Sequence, residues 1–172
     1  MEIRHATDAD LAEIQSIYAH HVLHGTGTFD ESPPSVEEIG HRYYRDLNRG
    51  WDWLVASDAT GVLGIAYYNQ YRDRSAYRFT AEDSIYVRED VRGQGVGKAL
   101  VARLLEEATR KGFRQMIAVI GDSENIGSIG VHASLGFARA GTLRGAGLKF
   151  GRWIDVVIMQ KQLGHAELSV PD

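Results

Sequence analysis

Apolar residues recur along this chain with two different periods. Leu11, Ile14, Ile17, Tyr18 and Val22 fall three or four residues apart, the spacing of one helical face, and Thr7 with Asp10 has the spacing of a capping box. A helix is therefore predicted from about Asp8 to Leu23, preceded by a short strand, EIRHA. HGTGTFDESPP then breaks the period with glycines and prolines, until Ser35 and Glu38 repeat the capping spacing and open a second helix. WDWLVAS and VLGIAYYNQY, joined by the turn-forming DATG, predict a hairpin, and AEDSIYV a further strand. From Gly95 to Arg110, Val96, Leu100, Leu104 and Ala108 mark one helical face, with Gly112 placed as its C-terminal cap. QMIAVI reads as a buried strand, NIGSIGVHASLG as a short helix ended by glycine, and LKFGRWIDVVIMQKQL as late strand structure. The tail, residues 164–172, is predicted to fray.

A chain of 172 residues accommodates one domain with a full core. Hydrophobic residues make up 44% and charged residues 24%, which excludes a disordered or fibrous chain. The formal charge is −4 with no stripe of Lys or Arg, so neither nucleic acid nor an anionic membrane is the expected partner. The start, MEIRHATDADLAEI, lacks the apolar centre of a signal peptide, and no stretch approaches the roughly 20 apolar residues of a membrane span. Cysteine is absent, which removes disulfides, thiolate metal ligands and a cysteine nucleophile, and fits a cytoplasmic address.

The densest candidate chemistry is VRGQGVGKAL, residues 91 to 100. A P-loop needs four residues between its glycines and a hydroxyl after the lysine; here Gly93 and Gly97 are too close and Ala99 follows Lys98. A dinucleotide fingerprint starting at Gly93 needs glycine where Lys98 stands. Arg92-x-x-Gly95-x-Gly97 between a strand and a helix remains. Glycines there let backbone N–H groups approach a pyrophosphate, and the helix N-terminus favours its charge.

That loop resembles the acetyl-CoA loop of the GCN5-related N-acetyltransferase (GNAT) superfamily. ENIGSIGVHASLGF resembles the superfamily's second cofactor segment, with Leu135-Gly136-Phe137 as its closing signature. Within the superfamily, GTGTFDESPPS, EDSIYV, VIGDSENIGSIGVHASLGF and GTLRGAGLKFGRWIDVVIMQ are similar to the phosphinothricin and methionine sulfoximine acetyltransferase group. The resemblance implies a single α/β (α+β) domain over residues 1–163, with a twisted, mainly antiparallel mixed sheet flanked by helices and acetyl-CoA entering where two central strands diverge. It implies a homodimer, a small amino-acid-like acceptor and direct transfer without a metal. The cofactor residues it implies are Ile85, Tyr86, Val87, Arg92, Gly93, Gln94, Gly95, Val96, Gly97, Lys98, Asn125 and Ser128; an Asn amide suits the amide-rich pantetheine arm.

An amine attacks only when neutral, so a base is required. The resemblance assigns that role to Glu82, at the start of the strand before the loop, with His132 as a second catalytic candidate that takes a proton or orients the acceptor. Phe29, Arg72, Asp73, Arg74, Glu82, Asp83 and Ser84 are the implied substrate residues, the guanidinium forks suiting a carboxylate. Alternation places Glu82, Ser84 and Tyr86 on one strand face and Asp83, Ile85 and Val87 on the other. A backbone N–H within 85–87 can stabilise the thioester oxyanion if the strand is bulged there. His20 and His24 share a helix face, yet no third ligand is spaced nearby. Trp51, Trp53 and Trp153 read as core or interface aromatics. Other readings are acetylation of a peptide N-terminus or a polyamine, and a non-catalytic acetyl-CoA-binding module.

Overall fold

Both sequence-read capping boxes form in the computed structural model, which describes residues 1–171; Asp172 lies outside them. The Asp10 carboxylate accepts from the Thr7 amide at 2.7 Å and from the Arg4 guanidinium at 2.7 and 2.8 Å. The bonds to Arg4 and Thr7 outweigh partial burial and hold the Asp10 pKa down to about 2. A single 3-10 turn, Asp8–Asp10, leads into α1, Leu11–His24. Ser35 and Glu38 cap each other reciprocally at the start of α2, Val36–Asn48.

Seven strands follow the predicted order: β1 (Glu2–His5), β2 (Trp53–Asp58), β3 (Gly61–Gln70), β4 (Thr80–Val87), β5 (Gln115–Gly121), β6 (Ala138–Lys149) and β7 (Arg152–Gln162). They form one sheet, ordered β1-β2-β3-β4-β5-β7-β6. Every neighbouring pair is antiparallel except β4 and β5, which the helix α3 (Val96–Arg110) connects as a parallel crossover. Helix α4, Ile126–Ser134, follows β5.

Helices cover both sheet faces. On one, Leu100, Leu104 and Ala108 of α3 pack with Leu54, Ala66, Tyr68, Met116 and Ala118. On the other, Ile14, Ile17 and Tyr18 of α1 and Ile39 and Tyr43 of α2 pack with Trp53, Val55, Ile65 and Tyr86. β4 is thus buried on both sides, with Ala81, Ile85 and Val87 toward α3 and Tyr86 toward α1.

Three expectations change. The late strand structure begins not at Leu148 but at Ala138, and the register of β6 shifts between Arg139 and Gly141 and again between Leu143 and Gly147. Those shifts, with only Gly147 and Lys149 buried along β6, erase the alternation that marks a strand in sequence. β4 carries no bulge: its register against β3 runs unbroken from Gly64↔Val87 to Gln70↔Ala81. The tail does not fray throughout, since Ala166 is buried and Glu167 accepts from Gln162 at 2.9 Å. Of the tryptophans, Trp53 is in the core on the α1 side, Trp51 packs half-buried against the core on the α3 side, and Trp153 is exposed on β7. Among the described residues, no helix is long and apolar enough to cross a membrane.

Candidate active site

The two parallel strands do not stay paired. Their register ends at Asp83↔Ala118, although β4 continues to Val87 and β5 to Gly121. The Arg88 amide donates to the Leu63 carbonyl of β3 at 2.8 Å. Since N–H groups alternate sides along a strand, those of Tyr86 and Ser84 also turn toward β3, and those of Val87 and Ile85 face the gap that β5 has left. The gap-facing donors expected from a bulge are supplied instead by the parting of two strands.

VRGQGVGKAL lies directly beyond that gap. Gly93 and Gly95 have φ of +74° and +84°, and a Cβ at either would meet no protein atom within 4 Å. The glycines satisfy the backbone, and the space they leave faces outward. No side chain caps α3, and its first internal bond runs from the Ala99 amide to the Gly95 carbonyl at 3.0 Å. The N–H groups of Val96, Gly97 and Lys98 therefore point out of the helix end toward an anion site. Arg92 stands beside them, held by Glu89 at 2.8 Å, and Lys98 is exposed. Gln94 reaches back to the Asp90 carbonyl at 3.4 Å. The loop fits a pyrophosphate: unpaired donors, two cations and no Cβ in the way.

Glu82 lies on the opposite face of β4 from α3, four residues before Tyr86 and across from Asn69 of β3. Burial pushes its pKa above the ordinary carboxylate value; Arg72 acts against this and Asp83 with it. A half-buried carboxyl with a raised pKa is suited to accept a proton. Arg72, Asp73 and Arg74 are exposed on the loop between β3 and β4, and the Arg72 guanidinium lies over the Tyr71 ring at 4.4 Å. Ser84 shares the face of Glu82.

Asp83 does not join them. Its carboxylate turns to the other face, where Oδ2 lies 2.8 Å from Nε2 of buried His132. Nδ1 of the same ring lies 2.8 Å from the Ser128 carbonyl. Asn125, expected to face pantetheine, N-caps α4, its oxygen accepting from the Ser128 amide at 3.2 Å. Along β4, Glu82 and the gap-facing Ile85 and Val87 precede the loop, while Asp83, His132, Asn125 and Ser128 are linked around α4, where Asn125 also reaches the Gly121 carbonyl at 3.4 Å.

The loop carrying Phe29 crosses the sheet near the mouth of the gap. Tyr18 donates to Asp30 at 2.8 Å, Arg42 pairs with Asp30 at 3.1 Å, and Thr26 donates to Asp122 at 3.0 Å. The residue missed in the sequence is Lys149: buried on β6, its ammonium donates to the carbonyls of Gly25 at 2.9 Å and Thr28 at 2.8 Å. Burial pushes its pKa below the ordinary lysine value, against the pull of Asp30 and Glu31. Two glycines admit the loop, because a Cβ on Gly121 would collide with the Thr26 carbonyl and one on Gly147 with the Phe29 ring. Phe29 is 41% exposed and its ring rests on this cradle. Among the described residues, no three His, Asp or Glu side chains are grouped to hold a metal.

A parted parallel pair, a glycine loop opening a helix beside it and a carboxylate on the first strand of the pair define an acyl-transfer class of site. The chain matches the Acetyltransferase (GNAT) domain over residues 3–158 and belongs to that family. It is 46% identical over 170 residues to the phosphinothricin N-acetyltransferase of Alcaligenes faecalis, covering 99% of this chain and 86% of that one. It is 41% identical over 162 residues to the L-methionine sulfoximine/L-methionine sulfone acetyltransferase of Pseudomonas aeruginosa, 94% of each chain. The crystal structure of a phosphinothricin acetyltransferase from Sinorhizobium meliloti in complex with AcCoA superposes with a TM-score of 0.96 at 43% identity, covering 99% of this chain and 92% of that one.

Lys149→Met removes both donors to the Phe29 loop while keeping the length of the side chain. Leaving buried carbonyls unpaired costs about 1–3 kcal/mol, so deuterium uptake over residues 25–30 should rise while that of β3 stays unchanged. Equal uptake in the two proteins would show that Lys149 does not hold the loop.

Proposed function

We propose that this protein transfers the acetyl group of acetyl-CoA directly to the amino group of a small amino acid analogue such as phosphinothricin or methionine sulfoximine. The observation that carries the reading is the parting of β4 and β5 beside the glycine loop, which sets gap-facing backbone donors next to a built anion site. The relatives' names narrow the acceptor, and the fit of the loop to a pyrophosphate supports the donor.

The N–H groups of Val96, Gly97 and Lys98, with Arg92 and Lys98, hold the pyrophosphate, and the edge of β4 lines up the pantetheine arm as an added strand would. The N–H of Ile85 or Val87 donates to the thioester carbonyl as it gains negative charge. Glu82 takes a proton from the acceptor ammonium, directly or through one water. The freed amine forms a C–N bond to the acetyl carbon, the C–S bond breaks, and the thiolate leaves with its electron pair and takes up the second proton that the nitrogen sheds. Arg72 and Arg74 meet the acceptor carboxylate, and Phe29 closes the pocket. A homodimer is supported by Leu143, Leu148, Phe150 and Trp153, which stand exposed on the β6–β7 hairpin.

Release of free CoA with phosphinothricin or methionine sulfoximine, and not with peptide or polyamine panels, is the expected acceptor profile. Acetyl-CoA binding with no release from any amine would favour a non-catalytic binding module. Glu82→Gln should lower kcat about 100-fold or more with acetyl-CoA affinity retained. Activity of the wild type falls as pH drops through the Glu82 pKa, so the acid limb of kcat/KM lies above the ordinary glutamate value of about 4.3. An unchanged kcat in the variant removes Glu82 from the reaction.

Gly95→Val forces a β-branched residue into a left-handed backbone and puts its side chain where the pyrophosphate lies. The cost of about 1–3 kcal/mol should weaken acetyl-CoA at least tenfold by calorimetry, and equal affinity would refute the loop assignment. Trp153→Asp should shift the protein from dimer to monomer in sedimentation; a monomeric wild type refutes the interface.

A further inference from the structure

Asp83 and His132 form the most deeply enclosed charged contact in the sheet's α3 face, their side chains 1% and 2% exposed. A carbonyl oxygen only accepts, so the 2.8 Å contact to Ser128 requires hydrogen on Nδ1. With Asp83 ionised, its oxygen accepts, and the 2.8 Å contact places hydrogen on Nε2 as well. Both ring nitrogens are then donors, and no lone pair remains to receive a proton. Burial alone lowers the His132 pKa, but the bond to Asp83, its charge and the Ser128 carbonyl together carry it above the ordinary value. Asp83 Oδ1 is buried without a partner, so the carboxylate depends on His132 to offset its desolvation.

The pair stands at a particular place. Asp83 is the last β4 residue in register with β5, and His132 lies on α4, the element that continues from β5. Phe137 packs edge-on against the imidazole, ring centroids 4.8 Å apart, and closes it from below. Where backbone pairing between the two strands stops, this contact takes over the connection.

We propose that Asp83 and His132 are positioning residues: their pair ties β4 to α4 at the apex of the gap, sets where the Ile85 and Val87 N–H groups and Glu82 stand, and exchanges no proton with the acceptor. The proposal rests on reading the gap as the acetyl-CoA site.

The test begins with acetyl-CoA binding to the full wild-type chain. Absence of binding would count against the functional reading, whereas the ring state of His132 is read separately by nitrogen NMR. Nδ1 should stay protonated throughout the titration and the ring should lose its second proton above its ordinary pKa of about 6.5; a ring titrating at or below that value would overturn the proposal. Asp83→Ala should weaken acetyl-CoA about tenfold and lower kcat. Asp83→Asn should recover both to within about threefold, because an amide can donate to Nε2 while Nδ1 still donates to Ser128. Failure of this rescue contradicts a hydrogen-bonded tie. His132→Gln should keep the acid limb of the pH profile that Glu82→Gln removes; loss of that limb would make His132 the base. Should Asp83→Ala fail to fold, the wild-type ring state and the His132→Gln profile decide the question.

Discussion

From Thr80 to Asp83, β4 shares a parallel ladder with β5; beyond that point each strand keeps only its antiparallel neighbour. A strand released from one partner inside a sheet exposes backbone donors and acceptors that cost free energy unless something pairs with them. The freed edge points at the gap, and the chain leaves β4 directly into the glycine loop and α3, whose own first N–H groups are unpaired. Two sets of unmet donors, one at a strand edge and one at a helix end, are thereby fixed at successive positions for a long, bent, anionic ligand.

Alternation along β4 then divides the work between its faces. Glu82, Ser84 and Tyr86 look toward α1 and the loop carrying Phe29, where Tyr18 and Tyr86 meet edge to face at 4.8 Å. Ala81, Ile85 and Val87 look toward α3, and Asp83 toward α4. Glu82 and Asp83 are consequently one residue apart in sequence but on opposite sides of the sheet. Near the Phe29 loop, Lys149 is likewise a buried charge, donating to two carbonyls of an irregular segment that no ladder holds.

Elements with local signals were legible. The capping boxes at Thr7 and Ser35, the hairpin across DATG, the glycine loop before α3 and the facing of β4 residues all follow from neighbours within a few positions. Features depending on distant partners were not. The resemblance groups Asp83 with the acceptor residues while alternation sets it opposite Glu82, and its carboxylate meets a partner 49 residues away. Lys149 escaped notice because β6 reverses the usual facing: the lysine points inward, while Leu148 and Phe150 point out. No periodicity can show that a lysine is neutralising carbonyls 121 and 124 residues earlier. A strand edge freed by divergence likewise has no signature in its own residues, which is why a bulge was expected there.

The parted edge and the helix end are expected to bind one ligand together. Residue-resolved hydrogen exchange with and without acetyl-CoA measures this directly. Protection should appear together at the amides of Ile85, Val87, Val96, Gly97 and Lys98, with the laddered segment from Thr80 to Asp83 unchanged. Protection confined to the helix end, or absent from both, would contradict a site built on the divergence of β4 and β5.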